Sequence, residues 1–193
     1  MAQRTARLYS STDPIDLLSE LSERLHAIGV NLQHPTSGKA FRISDEGDQL
    51  STTEGELREF LSDLGDASFS WWISADHDLY CRIRKCDETA VAELGLEGCT
   101  AEELKTLQEL LRSWAASQAA SGRLVGFVYD RDGISVDCDW DQVFLEGVPL
   151  ELACRSTEFT GLLAEAPSRP SHLRSPDGDI PITELHGFIL AVR

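Results

Sequence analysis

The sequence predicts an α+β domain, with a mostly antiparallel sheet and two or three helices packed on one face. Three observations carry that expectation. Apolar residues recur at helical spacing behind capping residues in three places, residues 68–97 change to a period of two, and these segments follow one another without regular βαβ alternation. With 193 residues, 41% hydrophobic and 26% charged, the chain can bury a full core, and its composition excludes wholesale disorder and fibrous repeats. We expect a flexible arm over 1–12, where no periodicity is visible, and a single domain over 13–193.

The first helix is expected at 14–28. Asp13 and Pro14 stand in the N-cap and N1 order, and Leu17, Leu18, Leu21, Leu25 and Ile28 follow at helical spacing before Gly29. Residues 40–43 read as a short strand and 45–48 as a turn. Thr53 with Glu56 is a capping box opening a helix whose Leu57, Phe60, Leu61 and Leu64 make one apolar face, and Gly65 supplies the stop. Alternation then predicts a meander over 68–75, 79–86 and 89–96. Thr100 with Glu103 is a second capping box, ahead of a helix over 101–120 with Leu104, Leu107, Leu111, Trp114 and Gln118 on one side. The run 124–129 is apolar on both faces and reads as a central strand, and Asp132-Gly133 suggests a hairpin over 124–138. Short strands are expected at 143–145 and 150–152, a helical turn at 159–164, a loop over 168–179, and a final strand at 185–192, apolar enough to lie inside the sheet.

Charge is the strongest functional bias. Thirty-three acids against 17 bases give a net charge of −16, which repels phosphates and anionic headgroups, so nucleic-acid and membrane partners are not expected. The excess is concentrated mid-chain: 43–86 and 87–151 stand at −6 and −10, flanked by segments of +1 and −1. There is no long apolar run and no secretory leader pattern, so a cytoplasmic setting is expected. Five cysteines without a CxxC pair read as reduced thiols.

The densest cluster of chemistry is 130–141, where Asp130, Asp132, Asp137, Asp139 and Asp141 accompany Trp140. On an extended strand Asp137, Asp139 and Asp141 share one side, and three like charges there need water, a cation or a basic partner. The run fails the calcium-loop template, because its glycine follows the second Asp directly and no closing Glu sits at the required distance. A plain solvated face competes with a docking edge for a cationic surface, in which Trp140 supplies the aromatic anchor. A second candidate is a pocket lined by Trp71 or Trp72, Tyr80 and Arg82. Arg82, Arg84 and Lys85 also suggest an anion site, but a protected sheet edge or partners for Glu93 explain them more simply. Catalytic patterns are thin: the five histidines occur singly, Asp76-His77-Asp78 reads as a turn, and GxSxG, P-loop and GxGxxG are absent. No catalytic residue, cofactor or metal is expected.

In general character, acidic, small and without a catalytic signature, the chain resembles bacterial immunity proteins and antitoxins, which cover the active sites of basic toxin domains. No residue is carried over from that likeness. It implies a protein-binding inhibitor that docks on a basic partner through 130–141. The rivals are a small-molecule enzyme or sensor with an aromatic-lined pocket, and an adaptor subunit of a larger assembly.

Overall fold

The computed structural model describes residues 4–131, 133, 138–153, 161–165, 182–185 and 188–192. In chain order the elements are β1 (Thr5–Ser10), α1 (Pro14–Ala27), β2 (Ala40–Ile43), β3 (Gln49–Thr52), α2 (Glu54–Leu64), β4 (Asp66–Ser74), β5 (His77–Cys86), β6 (Thr89–Gly95), α3 (Ala101–Ala120), β7 (Leu124–Asp130), α4 (Leu150–Ala153), β8 (Gly161–Glu165), β9 (Ile182–Leu185) and β10 (Phe188–Val192). The strands form one sheet in the order β3-β2-β4-β5-β6-β1-β7-β8-β10-β9. Every neighbouring pair in it is antiparallel. The chain is therefore α+β.

The helices begin where their capping chemistry places them. Asp13 accepts from the Ile15 backbone N–H ahead of Pro14, and both Thr-x-x-Glu boxes close reciprocally, Thr53 with Glu56 and Thr100 with Glu103. Each such cap is worth about 1 kcal/mol. Gly65 ends α2 in the left-handed region at φ 68°, a conformation that a side chain would make costly.

α1, α2 and α3 lie on one face of the sheet. Leu17, Leu18, Leu21 and Leu25 of α1, Leu57 and Leu61 of α2, and Leu104, Leu107, Leu111 and Trp114 of α3 meet Leu8, Phe69, Trp71, Leu79, Cys81, Ile83, Leu94 and Phe127 in a single core. One buried polar group on α3 has a defined task. The Gln118 amide donates to Glu20 at 2.6 Å and accepts from the Ser10 hydroxyl at 2.9 Å. Arg123 pairs with Glu20 from the other side at 2.8 Å, so β1, α1 and α3 share one satisfied polar network.

The opposite face is covered differently. Over β1, β6 and β7, a second cluster joins Tyr9, Val91, Val125 and Val128 to Trp140, Val143, Phe144 and Ala153 of the 138–153 segment. Here 142–146 is a wide helical turn, closed by Gly147 in the left-handed region at φ 74°, and α4 follows. Gly126 lies directly under the Phe144 ring, where any Cβ would overlap it.

Several expectations need correction. Residues 5–10 are a buried central strand between β6 and β7, and no flexible arm. Ala6 and Leu8 face the helices while Thr5 and Arg7 are half-buried on the other face and Tyr9 joins the second cluster there, so the alternation of residues 5–8 is broken at Tyr9-Ser10 after four positions. β3 went unpredicted because Gln49, Leu50 and Ser51 are exposed, leaving no apolar pattern to detect. The 124–138 hairpin meets a strand whose two edges are filled by β1 and β8, and 134–137 lies outside the described residues. The strands expected at 143–145 and 150–152 are helical, and the helical turn expected at 159–164 contains β8 from Gly161. The 168–179 loop lies outside the described residues. The last strand is a paired hairpin, β9–β10, with β10 held between β8 and β9. Cysteine spacing also misled: Cys81, Cys86 and Cys99 are free, but Cys138 is disulfide-bonded. A disulfide needs spatial closeness rather than a CxxC spacing. Cys154 lies outside the described residues.

Gly126→Ala is expected to destabilise the fold by about 2–3 kcal/mol, the cost of overpacking a filled site, while Gly122→Ala has open space beside it and meets only its positive φ. Urea denaturation of the two variants compares them directly.

Candidate functional site

Of the residues expected to form an anionic docking edge, Asp130, Asp139, Trp140 and Asp141 are described, and among these only Asp139 is exposed. Asp130 is fully buried, with its carboxylate accepting from the Gly133 backbone N–H at 2.8 Å. Trp140 is buried at 2% exposure against Phe144, so its indole packs the second cluster and offers no anchor. Asp141 accepts two bonds from Arg84, at 2.6 and 2.8 Å, and one from the Tyr9 hydroxyl at 2.9 Å. Asp139 is exposed, and its side chain accepts from the Gln142 backbone N–H at 3.2 Å, capping the turn behind it. Asp132 and Asp137 lie outside the described residues.

The Arg84–Asp141–Tyr9 triad ties the 138–153 segment to the sheet. Burial and the adjacent Asp141 charge hold the Tyr9 phenol well above its ordinary pKa. Burial of Arg84 opposes its charge, and Asp141 more than offsets this, leaving the guanidinium more basic than usual. The triad is a hydroxyl joined to an ion pair, an arrangement that suits a structural clamp.

The expected aromatic pocket divides. Trp71 and Trp72 are both buried, Trp71 in the main core against Phe69 and Trp72 beneath His34 and Phe41. Tyr80 and Arg82 do line a cavity, on the β2–β3, β4, β5 and α2 side of the molecule. Arg82 and Arg84 do not mark a sheet edge, since β5 is interior; Arg82 lies across from Glu93 in the β5–β6 register and feels its charge, while the Glu93 ion pair is with Arg7 at 3.3 Å.

That cavity is an open groove of about 820 Å³. β2 pairs with β4 only at Arg42↔Phe69 and Ile43↔Ser68, then leaves through the tight Ser44–Asp48 turn, which is closed by two backbone bonds of 2.9 Å. The opened space is bounded by Ile43 and Leu50 from the β2–β3 hairpin, Phe60 and Leu64 from α2, and Tyr80 from β5. Leu50, Leu64 and Tyr80 are 41%, 64% and 39% exposed, three of the five large exposed hydrophobics among the described residues. Scattered exposed leucines carry little meaning, but several sharing one concavity mark a contact surface.

The polar lining is already organised. Arg82 forks onto the Asp66 carboxylate through Nε at 2.9 Å and a terminal nitrogen at 2.5 Å, and that hydrogen bonding leads the causes that raise its pKa. Arg42 stacks 4.3 Å over the Phe60 ring. The Tyr80 hydroxyl meets Ser68 Oγ at 3.0 Å. Both arginines thus face partners within the groove, whereas Asp45 and Glu46 on its rim are exposed acids. Charge left for a visitor is negative.

A second cavity, about 510 Å³, lies between α1 and the 31–38 loop and contains His26 and His34. Both rings serve the loop: His34 bonds the Ala75 carbonyl and the Thr36 N–H, and His26 bonds Asn31. No helix of the described residues is long and apolar enough to cross a membrane. No family model, curated protein or solved structure matches the chain.

The groove was half visible in the sequence. Tyr80 and Arg82 stand out by their alternation, but Leu50 and Leu64 do not, because a single leucine on a short strand and one at a helix end look like ordinary core positions. Asp141→Ala should cost about 1–3 kcal/mol by leaving the Tyr9 hydroxyl and Arg84 without their acceptor. The matching loss in Tyr9→Phe should be smaller, about 1 kcal/mol, since Asp141 keeps Arg84. Thermal unfolding of the two variants orders them.

Proposed function

We propose that this chain is an acidic protein-binding inhibitor of the immunity or antitoxin type, which docks on a basic partner through the groove lined by Leu50, Leu64 and Tyr80. The observation that carries this reading is the convergence of those three exposed apolar side chains on one concavity whose rim acids, Asp45 and Glu46, are exposed. Exposed apolar side chains set among organised polar groups, with acids at the rim, match the mixed lining of a protein contact. The occupant that complements a chain of net charge −16 is a cationic protein surface, drawn in by long-range attraction and then held by apolar burial.

The groove replaces 130–141 as the proposed contact. Of the carboxylates described in that stretch, only Asp139 is fully exposed, and the aromatic anchor assigned to it is buried. A nucleic-acid partner is disfavoured by the same net charge. Cytoplasmic action belongs to this reading, and the free thiols of Cys81, Cys86 and Cys99 support it, with the Cys138 disulfide as the exception.

The first partner to test is the protein encoded by the reading frame beside this one. After co-expression, calorimetric titration should give binding that weakens about tenfold or more between about 50 and about 300 mM salt. Leu64→Ser combined with Tyr80→Ala should weaken it by at least about tenfold, and Asp139→Asn should leave it unchanged. Wild-type affinity in the groove double variant, with circular dichroism showing a folded protein, would place the contact elsewhere.

A further inference from the structure

We propose that His77, Cys99 and Glu103 form a binding site for Zn²⁺, with a fourth position open to water. Three elements meet there: the start of β5 supplies His77, the connection between β6 and α3 supplies Cys99, and the first turn of α3 supplies Glu103. A ring nitrogen, the thiol sulfur and a carboxylate oxygen from the three lie within 4.8 Å of one another, the one such group of three among the described residues.

The donor set selects the metal. Imidazole nitrogen, thiolate sulfur and carboxylate oxygen together suit a borderline ion such as Zn²⁺, whereas Mg²⁺ and Ca²⁺ call for oxygen alone. From usual Zn–N, Zn–O and Zn–S lengths, ligand atoms in a tetrahedral site lie about 3.3–3.6 Å apart. His77 Nδ1 already stands 3.7 Å from Glu103 Oε1, so closure around an ion needs small side-chain movements and no change of backbone.

Two further features favour a metal over a chance cluster. His77 Nε2 is buried without a hydrogen-bond partner, which is costly for a ring nitrogen that nothing else satisfies. Nδ1 faces Glu103 Oε1, so ligation by Nδ1 uses the spacing already present, whereas ligation by Nε2 gives that orphaned atom its partner; one ring nitrogen serves the ion in either case. Glu103 is also fixed in advance: its Oε2 accepts from the Thr100 backbone N–H at 2.7 Å in the capping box, which leaves Oε1 directed at His77. The side chains of His77 and Glu103 are 26% and 29% exposed, giving an ion a path in, while Cys99 is buried.

Electrostatics set the condition for binding. Burial, then the neighbouring Glu103 charge, push the Cys99 thiol up to about 11, against a smaller lowering by Arg4. Without an ion the sulfur therefore keeps its proton. On binding, the S–H bond is replaced by an S–Zn bond and the proton leaves to solvent. The positive end of the α3 dipole opposes a cation here, but thiolate and carboxylate together carry two negative charges, equal to the charge of the ion. The sequence hides the site because His77, Cys99 and Glu103 stand 22 and four residues apart, a spacing that fits no zinc motif.

The test uses the full chain, stripped with a chelator under anaerobic conditions without reductant, so that the Cys138 disulfide stays closed, and titrated with Co²⁺, then with Zn²⁺ in competition. Wild type should take up one equivalent of Co²⁺ with the d–d bands of a four-coordinate ion and a thiolate-to-cobalt charge-transfer band, both removed by Zn²⁺. Cys99→Ser should lose the charge-transfer band, and His77→Gln should weaken Zn²⁺ binding by more than about tenfold. Because a buried cysteine variant can misfold, the half-buried His77→Gln and the change in melting temperature on adding Zn²⁺ give an independent reading: a rise for wild type and none for either variant. The proposal fails if no charge-transfer band forms, if the band survives in Cys99→Ser but vanishes in Cys86→Ser, or if Zn²⁺ raises the melting temperature of His77→Gln as much as that of wild type.

Discussion

A wide antiparallel sheet with all its long helices on one side must still protect its other side, and most of the architecture answers that constraint. Over β1, β6 and β7 the 138–153 segment supplies the cover, with Trp140, Val143 and Phe144 pressed onto Tyr9, Val91 and Val128. Fully burying side chains of this size contributes about 1.5–3 kcal/mol each. The cover fits only because β7 carries glycine where the Phe144 ring lands. Arg84, Asp141 and the Tyr9 hydroxyl secure it, which explains why acids that look available in sequence are already engaged. Beyond this cover, on β4 and β5, the same face carries Asp66, Ser68, Tyr80 and Arg82, paired among themselves. The boundary between the apolar cover and this polar lattice divides the scaffold from the groove.

What the sequence showed follows from where each segment sits. Helices with one exposed face advertise themselves, and α3 was predicted at 101–120, the bounds the structure has. The meander was legible for the same reason, since one side of β5 is polar. β1 was missed although Thr5-Ala6-Arg7-Leu8 alternates, because Tyr9-Ser10 ends the pattern after four residues. The 138–153 cover was misread because Val143-Phe144-Leu145 is apolar in a row, and a short apolar run does not distinguish a strand from a helical turn. Burial, which separates a docking anchor from a packing residue, has no local signature at Trp140: an aromatic flanked by aspartates reads as surface until the tertiary contacts are known.

Net charge is a property of the whole surface, and it biases the choice of partner without choosing the contact residues. In the proposed reading those lie where β2 departs from β4 after two paired positions, which opens the groove at that end of the sheet. The two candidate sites are independent. The groove depends on apolar exposure and the His77–Cys99–Glu103 cluster on donor identity, and they involve no residue in common.

The position of β1 bears on how the molecule is made. In the sheet Leu8 lies between Ala92 and Phe127, both more than 80 residues away along the chain. Neither edge of the strand can therefore pair through local contacts. A non-local closure of this kind slows folding and leaves exposed strand edges that invite association. A net charge of −16 on each copy of the chain opposes that association by like-charge repulsion.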